Sequence, residues 1–215
     1  MTVTQKSFVS LAQAFNESGV RYLVVGGLAV NAHGYHRLTL DIDIVLDMTE
    51  QNLRKAMAAL TRLEFRALAP VPIEQFADAS RRQEWISDNP NDLKTRLDLF
   101  VEAPFDFEKA YEHVAWKEIG DGVRAAFVGF DDLIALKRTA GRLQDLADID
   151  ELEEFRRVQE DEARRGPDDP DLVQENLWPR GWAGHRRAQL RWMGKIPLPD
   201  HIAWLEEAQD LFKKR

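Results

Sequence analysis

Asp41 and Asp43 lie two residues apart in a run, Arg37-Leu38-Thr39-Leu40-Asp41-Ile42-Asp43-Ile44-Val45, that alternates polar and aliphatic side chains. A period of two is the signature of a β-strand, whose successive side chains point to opposite faces. Taken as one strand, the run puts Arg37, Thr39, Asp41 and Asp43 on one face and Leu38, Leu40, Ile42 and Ile44 on the other. Two carboxylates projecting side by side suit a hard divalent cation, which takes oxygen ligands. A third carboxylate from a neighbouring strand would complete a two-metal site, with ions about 3.5–4 Å apart, that activates a hydroxyl and neutralises a polyphosphate. Asp98 is the natural supplier, in the middle of Thr95-Arg96-Leu97-Asp98-Leu99-Phe100-Val101. Upstream, Gly26-Gly27 follow an aliphatic stretch. Without Cβ atoms their backbone can approach a phosphate closely, and the helix after them begins with unpaired N–H groups.

These residues need a frame. Phe8, Leu11, Ala12 and Phe15 recur at helical spacing and predict a helix over about 4–18, closed by Gly19. Val20 to Val25 is an aliphatic strand, followed by the double glycine and a short helix ending near Gly34. Asp47 or Thr49 caps a third helix with Leu53, Ala56, Met57 and Leu60 on its apolar face. A short helix over 73–79 and strands over 83–87 and 95–101 are expected next, then a helix over 106–113. Gly120-Asp121-Gly122 between Val114–Glu118 and Val123–Val128 signals a hairpin. A helix starts at Phe130, breaks at Gly141 and resumes through Phe155. The reading is an α/β (α+β) chain. Residues 1–158 form the main domain, 159–181 a linker dense in charge, Gly and Pro, and 182–215 a helical extension holding three of the six tryptophans.

Composition narrows the classes. The 215 residues carry 29 Lys+Arg against 37 Asp+Glu, a net charge of -8. Such a surface does not attract a polyanion over long range, which argues against a dedicated duplex-binding module. The absence of cysteine excludes a disulfide framework, a thiolate zinc site and a Cys nucleophile. No signal peptide and no apolar run of the roughly 20 residues of a membrane span is visible, so the expected location is the cytoplasm, with no membrane partner.

The order apolar residue, Gly26-Gly27, spacer, Asp41-Ile42-Asp43-Ile44 resembles the signature of the DNA polymerase β-type nucleotidyltransferase superfamily, with a spacer at the long end of the usual range. The longer string Gly-Gly-x-Ala-Val…Gly34-Tyr35…Arg37-x-Thr39-x-Asp41-Ile42-Asp43 resembles a bacterial branch that includes abortive-infection-type toxins, and Lys137…Arg142-x-x-Asp145-x-x-Asp148 resembles a later motif of that branch. The resemblance covers about Val20 to Phe155. It implies a nucleotidyltransferase fold, a mixed sheet flanked by helices, and transfer of a nucleoside monophosphate from an NTP to a hydroxyl on an RNA end, a protein or a small molecule. It further implies that Asp41, Asp43 and Asp98 hold Mg²⁺, two ions, with Mn²⁺ as a substitute. Gly26, Gly27, Arg37, Thr39 and Lys137 would contact the phosphates. Acceptors such as tRNA and partners such as an antitoxin or a second copy of the chain belong to the same expectation.

Plainer readings stand beside these. Asp98 and Lys137 fit simple surface positions, and Asp145 and Asp148 fit ordinary intrahelical pairs with Arg142. His33 and His36 lack the partner spacing of metal ligands and fit structural roles. The alternative function is a nucleotide-binding or scaffold protein of the same fold without turnover.

Overall fold

The computed structural model describes residues 5–39, 41–65, 78, 80, 97–100, 105–166, 168–177 and 180–213. Among them the chain is mixed α and β. It opens with α1 (Gln5–Glu17), β1 (Tyr22–Val25), α2 (Gly26–Ala32), β2 (Ile42–Leu46) and α3 (Glu50–Arg62). After β3 (Leu97–Phe100) come α4 (Phe107–Glu112), β4 (Ala115–Gly120) and β5 (Val123–Phe127). Five helices close the chain: α5 (Phe130–Ala140), α6 (Leu143–Arg165), α7 (Pro170–Leu177), α8 (Gly181–Met193) and α9 (Leu198–Lys213). The helix expected over 73–79 and the strand over 83–87 lie outside the described residues, as do positions 95, 96 and 101 of the β3 run.

The five strands form one sheet in the order β3-β2-β1-β5-β4. β1 runs antiparallel to β2 and parallel to β5, β2 runs parallel to β3, and β4–β5 is the expected antiparallel hairpin. All four residues of the central β1 are buried, the mark of a strand covered on both faces. At the edge, β4 exposes most of its length. The core joins Phe8, Leu11 and Phe15 of α1 to Val24, Ile44 and Phe127 of the sheet, and it extends to Ile202 and Leu205 of α9.

Two expectations are corrected. β2 begins at Ile42, not at Arg37. Its partner explains why: β1 pairs from Tyr22↔Leu46 only as far as Val25↔Asp43, where Gly26 turns into α2 and the ladder has nothing left to bond. Arg37 to Thr39 therefore form a loop. Its start is pinned by Arg37 N–H, which donates to Asn31 Oδ1 at 2.9 Å. The second correction concerns 159–181. α6 continues to Arg165, α7 follows at Pro170, and the supposed linker is mostly helix. Charge density there marks a solvated helix surface, with Asp161 pairing with Arg164 at 2.6 Å and with Arg165 at 3.3 Å. Gly166 ends α6, and Asp169 Oδ1 caps α7 by accepting Leu172 N–H at 2.9 Å, with Pro170 at the first helical position.

The C-terminal helix is fastened to the start of the chain and to the loop. Gln5 N–H donates to Glu206 at 3.0 Å, and Gln5 Nε2 donates to Pro199 O at 3.0 Å. His201 on α9 stacks on His36 of the loop, with ring centroids 3.8 Å apart, and Trp204 stacks on its other neighbourhood at 5.6 Å. Burial, and then the nearby His36, push the His201 imidazole down to about 4. A pKa below the ordinary value means the unfolded chain binds the proton more readily. The stability contributed by neutral His201 is thus complete above about pH 6.5 and is lost as the pH falls towards 4. His201→Phe keeps a ring without the titration. Urea denaturation at pH 7.5 and 4.5 is expected to show wild type losing about 2 kcal/mol more than the variant between the two; equal losses would show that His201 is not held neutral.

Candidate functional site

Asp43 stands at the end of β2 nearest α2, and the parallel register sets it directly beside Asp98 on β3. Asp41, exposed, precedes the strand by one residue. The three carboxylates expected from the sequence are thus neighbours, two of them on adjacent strands. Their environment disfavours the charge they carry. Burial, and then the charge of Asp41, raise the Asp43 carboxyl above its usual value, against the opposing pull of the Gly27 N–H and the Arg142 and Lys137 cations. Burial, then Asp43, then Asp41 push Asp98 up to about 6. Asp98 Oδ1 is shielded from solvent and has no hydrogen-bond partner. An unpaired buried acceptor facing two like charges is a place where a cation gains energy from all three groups. The donor set, all carboxylate oxygen, fits Mg²⁺. As they stand, no three Asp, Glu or His side chains among the described residues form a ready coordination group.

The double glycine has a local role within the fold itself. Gly26 has φ +63, and a Cβ there would overlap the Asp43 carboxylate; a Cβ on Gly27 would overlap the Thr39 hydroxyl. Gly27 N–H, expected to face a phosphate, is near enough to the Asp43 carboxylate to work against the rise in its pKa. The glycines make room for this chain's own side chains, and they bring β1, α2 and the loop together around Asp43. Gly26→Ala adds both a left-handed Cβ and that overlap, so a loss of about 2–4 kcal/mol in urea denaturation is expected. A loss under about 1 kcal/mol would mean Asp43 does not occupy that space.

Lys137 is not a free cation waiting for a triphosphate. Only 5% of its side chain is exposed, and Nζ lies 2.6 Å from Asp148 Oδ2 and 3.2 Å from Asp145 Oδ1. Asp148 Oδ1 also forms an ion pair with Arg37 Nε at 2.9 Å, and Asp145 Oδ2 accepts a hydrogen bond from Arg142 Nε at 2.6 Å. Burial works to raise the Asp145 carboxyl, but the hydrogen bonds from Arg142 and Lys137 outweigh it and hold it below its usual value. Asp145 and Asp148 are therefore not ordinary surface pairs; they are buried and join α5, α6 and the 37–39 loop. Arg37, expected on the strand face, reaches the site from that loop, with Nη2 near Gly27. Arg142 is the cation of this cluster that faces solvent, its side chain 78% exposed, and its charge is felt at Asp43.

Sequence reasoning missed Asn31 and the pairing of His36 with His201. Asn31 alone left a signal: it is a polar residue inside the apolar run Leu28–Ala32 and is only 2% exposed. No helix among the described residues is long and apolar enough to cross a membrane. No protein-family model and no curated protein matches the chain, so its chemistry has to be read from these residues themselves.

Proposed function

We propose that the protein is a nucleotidyltransferase that moves a nucleoside monophosphate from an NTP to a hydroxyl acceptor. The observation that carries this reading is Asp98, in register beside Asp43, with a shielded and unpartnered Oδ1 and a carboxyl pushed up by burial and by its two acidic neighbours. Asp41, Asp43 and Asp98 would hold Mg²⁺, which supplies charge neutralisation at the phosphates and lowers the pKa of an acceptor hydroxyl.

The chain's own residues do the rest. Asp98, whose carboxyl is pushed up to about 6, accepts the proton of the acceptor hydroxyl as its oxygen bonds the α-phosphorus. The bond from that phosphorus to the β-bridging oxygen breaks, and pyrophosphate leaves. Arg142 offers its exposed guanidinium to the phosphate charge. Asp148 holds Arg37 and Lys137, and through Arg37 it holds the loop that carries Thr39 to Gly27. Lys137 acts as a buried counter-charge for Asp43. The acidic surface favours a compact acceptor, an RNA end, a protein hydroxyl or a small molecule, over a long duplex.

Label transfer tests the reading. Wild type incubated with α-labelled NTPs, Mg²⁺ and total cellular RNA or protein is expected to label a discrete acceptor, and Asp41→Ala is expected to reduce labelling by at least about 10²-fold. Equal labelling by the two proteins would refute the assignment.

A further inference from the structure

A cleft of about 580 Å³ opens between the C-terminal end of α2, β4, α6 and the turn from α8 into α9. Its size falls within the roughly 300–1,000 Å³ typical of clefts that bury small ligands. Asp41, Asp43 and Asp98 do not line it.

The polar groups of its wall are unusual in what they lack. Asn31 is 2% exposed, and its Oδ1 is committed to the Arg37 N–H at 2.9 Å. That bond fixes which way round the amide sits, and the remaining Nδ2 has no acceptor. Gln159 Nε2, on α6, is also shielded from solvent and without an acceptor. Buried amide donors left unpaired cost free energy, so they point to an acceptor that the protein itself does not supply.

His33 adds the opposite polarity. Its Nε2 lies 2.8 Å from Val128 O, and a carbonyl only accepts, so the ring donates from Nε2 and keeps Nδ1 as an acceptor. Burial lowers the pKa of both His33 and His36, which keeps both rings neutral near pH 7. The remaining charges are one Lys117 and one Glu118, which cancel, so a phosphate or carboxylate finds no cationic cluster here. Phe155, Met193, Ile196 and Pro197 supply flat or soft apolar surface. A purely aliphatic ligand would leave the amides unmatched. A neutral planar ring with acceptors and donors on its edge matches amides, imidazole and apolar wall together.

We infer that this cleft is a binding site for a nucleobase-like heterocycle, a free base or nucleoside, whose edge acceptors face the Asn31 and Gln159 amides. The site is independent of the carboxylate site and of the reaction proposed there. Its occupant would touch the same Asn31 that fixes the Arg37 loop.

The chain has four methionines, Met1, Met48, Met57 and Met193, and among the described residues only Met193 lines the cleft, which makes the test direct. Protein labelled with ¹³C in the methionine methyls is titrated with adenosine, cytidine, uridine and inosine, which carry no phosphate, in the absence of divalent cations. Saturable movement of the Met193 signal, with Met48 and Met57 unmoved, is expected with at least one nucleoside. Gln159→Leu, checked for an unchanged melting temperature, is expected to weaken that binding at least about tenfold; should the variant not fold, the selectivity of the wild-type shift for Met193 decides alone. Asp43→Asn is expected to bind as wild type does, whether or not the transferase reading survives. No shift with any of the four, binding unaffected in a folded Gln159→Leu, or binding abolished by Asp43→Asn would each overturn the proposal.

Discussion

Lys137→Met is expected to lower the stability of the protein by about 3–5 kcal/mol, a large share of what holds a domain of this size together. The reason is the position of the ammonium. It is buried against two carboxylates that are themselves 3–4% exposed at the side chain. Removing it leaves Asp145 with Arg142 alone and Asp148 with Arg37 alone, in surroundings where an under-compensated charge cannot recover its hydration. The surviving arginines put the expected value at the lower end of the range. A melting temperature about 6–12 °C below wild type would accompany a loss of about 3 kcal/mol. A double-mutant cycle separates this from mere packing: Lys137→Met combined with Asp148→Leu is expected to cost clearly less than the two single losses summed, since an apolar pair can replace a buried ion pair. Additive losses, or a Lys137→Met loss below about 1 kcal/mol, would mean that the ammonium reaches solvent and is free for a ligand.

That cluster also shows where the sequence is legible and where it is not. α1, β1 and the β4–β5 hairpin follow from local signals: apolar residues at helical spacing, an unbroken aliphatic run, and glycines flanking Asp121, whose own φ is positive. The start of β2 does not. Its polar–aliphatic alternation runs on past the point where β1 leaves the sheet, and alternation reports a favourable strand pattern without reporting a partner. The 159–181 segment failed for a related reason, since a solvated helix and a linker share the same charged composition. For Lys137 a signal was present. Asp145, Asp148, Ile149 and Leu152 stand at helical spacing i, i+3, i+4 and i+7, so both carboxylates belong to the buried stripe of α6, not to its surface. Motif resemblance pointed to Lys137, and amphipathic periodicity said what its ammonium would meet. The resemblance also pointed to Asp98 as a neighbour of Asp43, but their exact pairing was not legible, because the register between two strands far apart in sequence is set by tertiary packing.

Asp98→Asn is expected to stabilise the protein while abolishing the proposed transfer reaction, and the two effects have one cause. The Asp98 carboxyl sits at about 6, against an ordinary 3.8, because burial and the charges of Asp43 and Asp41 resist its ionisation. A folded-state pKa above the unfolded one means that the native protein holds the extra proton between about pH 3.8 and 6. Stability therefore falls as the pH rises through that window, and above it the ionised Asp98 is a standing cost. The gap corresponds to about 3 kcal/mol at most. Solvent screening of a half-buried side chain reduces this to about 1 kcal/mol, or about 2–4 °C in melting temperature. Asparagine keeps the shape and removes the charge, so the variant is expected to melt about 2–4 °C above wild type at pH 7.5 and level with it near pH 4. If the three carboxylates hold Mg²⁺ as proposed, the ion acts in the opposite sense on wild type by offsetting their repulsion, so 5 mM MgCl₂ is expected to raise the wild-type melting temperature at pH 7.5 and to leave Asp98→Asn nearly unmoved. On the proposed function, transfer of label from NTP is expected to fall at least about 10²-fold in the variant, which would have lost both a cation ligand and the proton acceptor for the hydroxyl. A stabilised, Mg²⁺-insensitive and inactive Asp98→Asn would show a carboxylate kept at its place for function against the interest of the fold. A variant less stable than wild type at pH 7.5, with its response to Mg²⁺ intact, would instead make Asp98 a structural residue and remove the third member of the site.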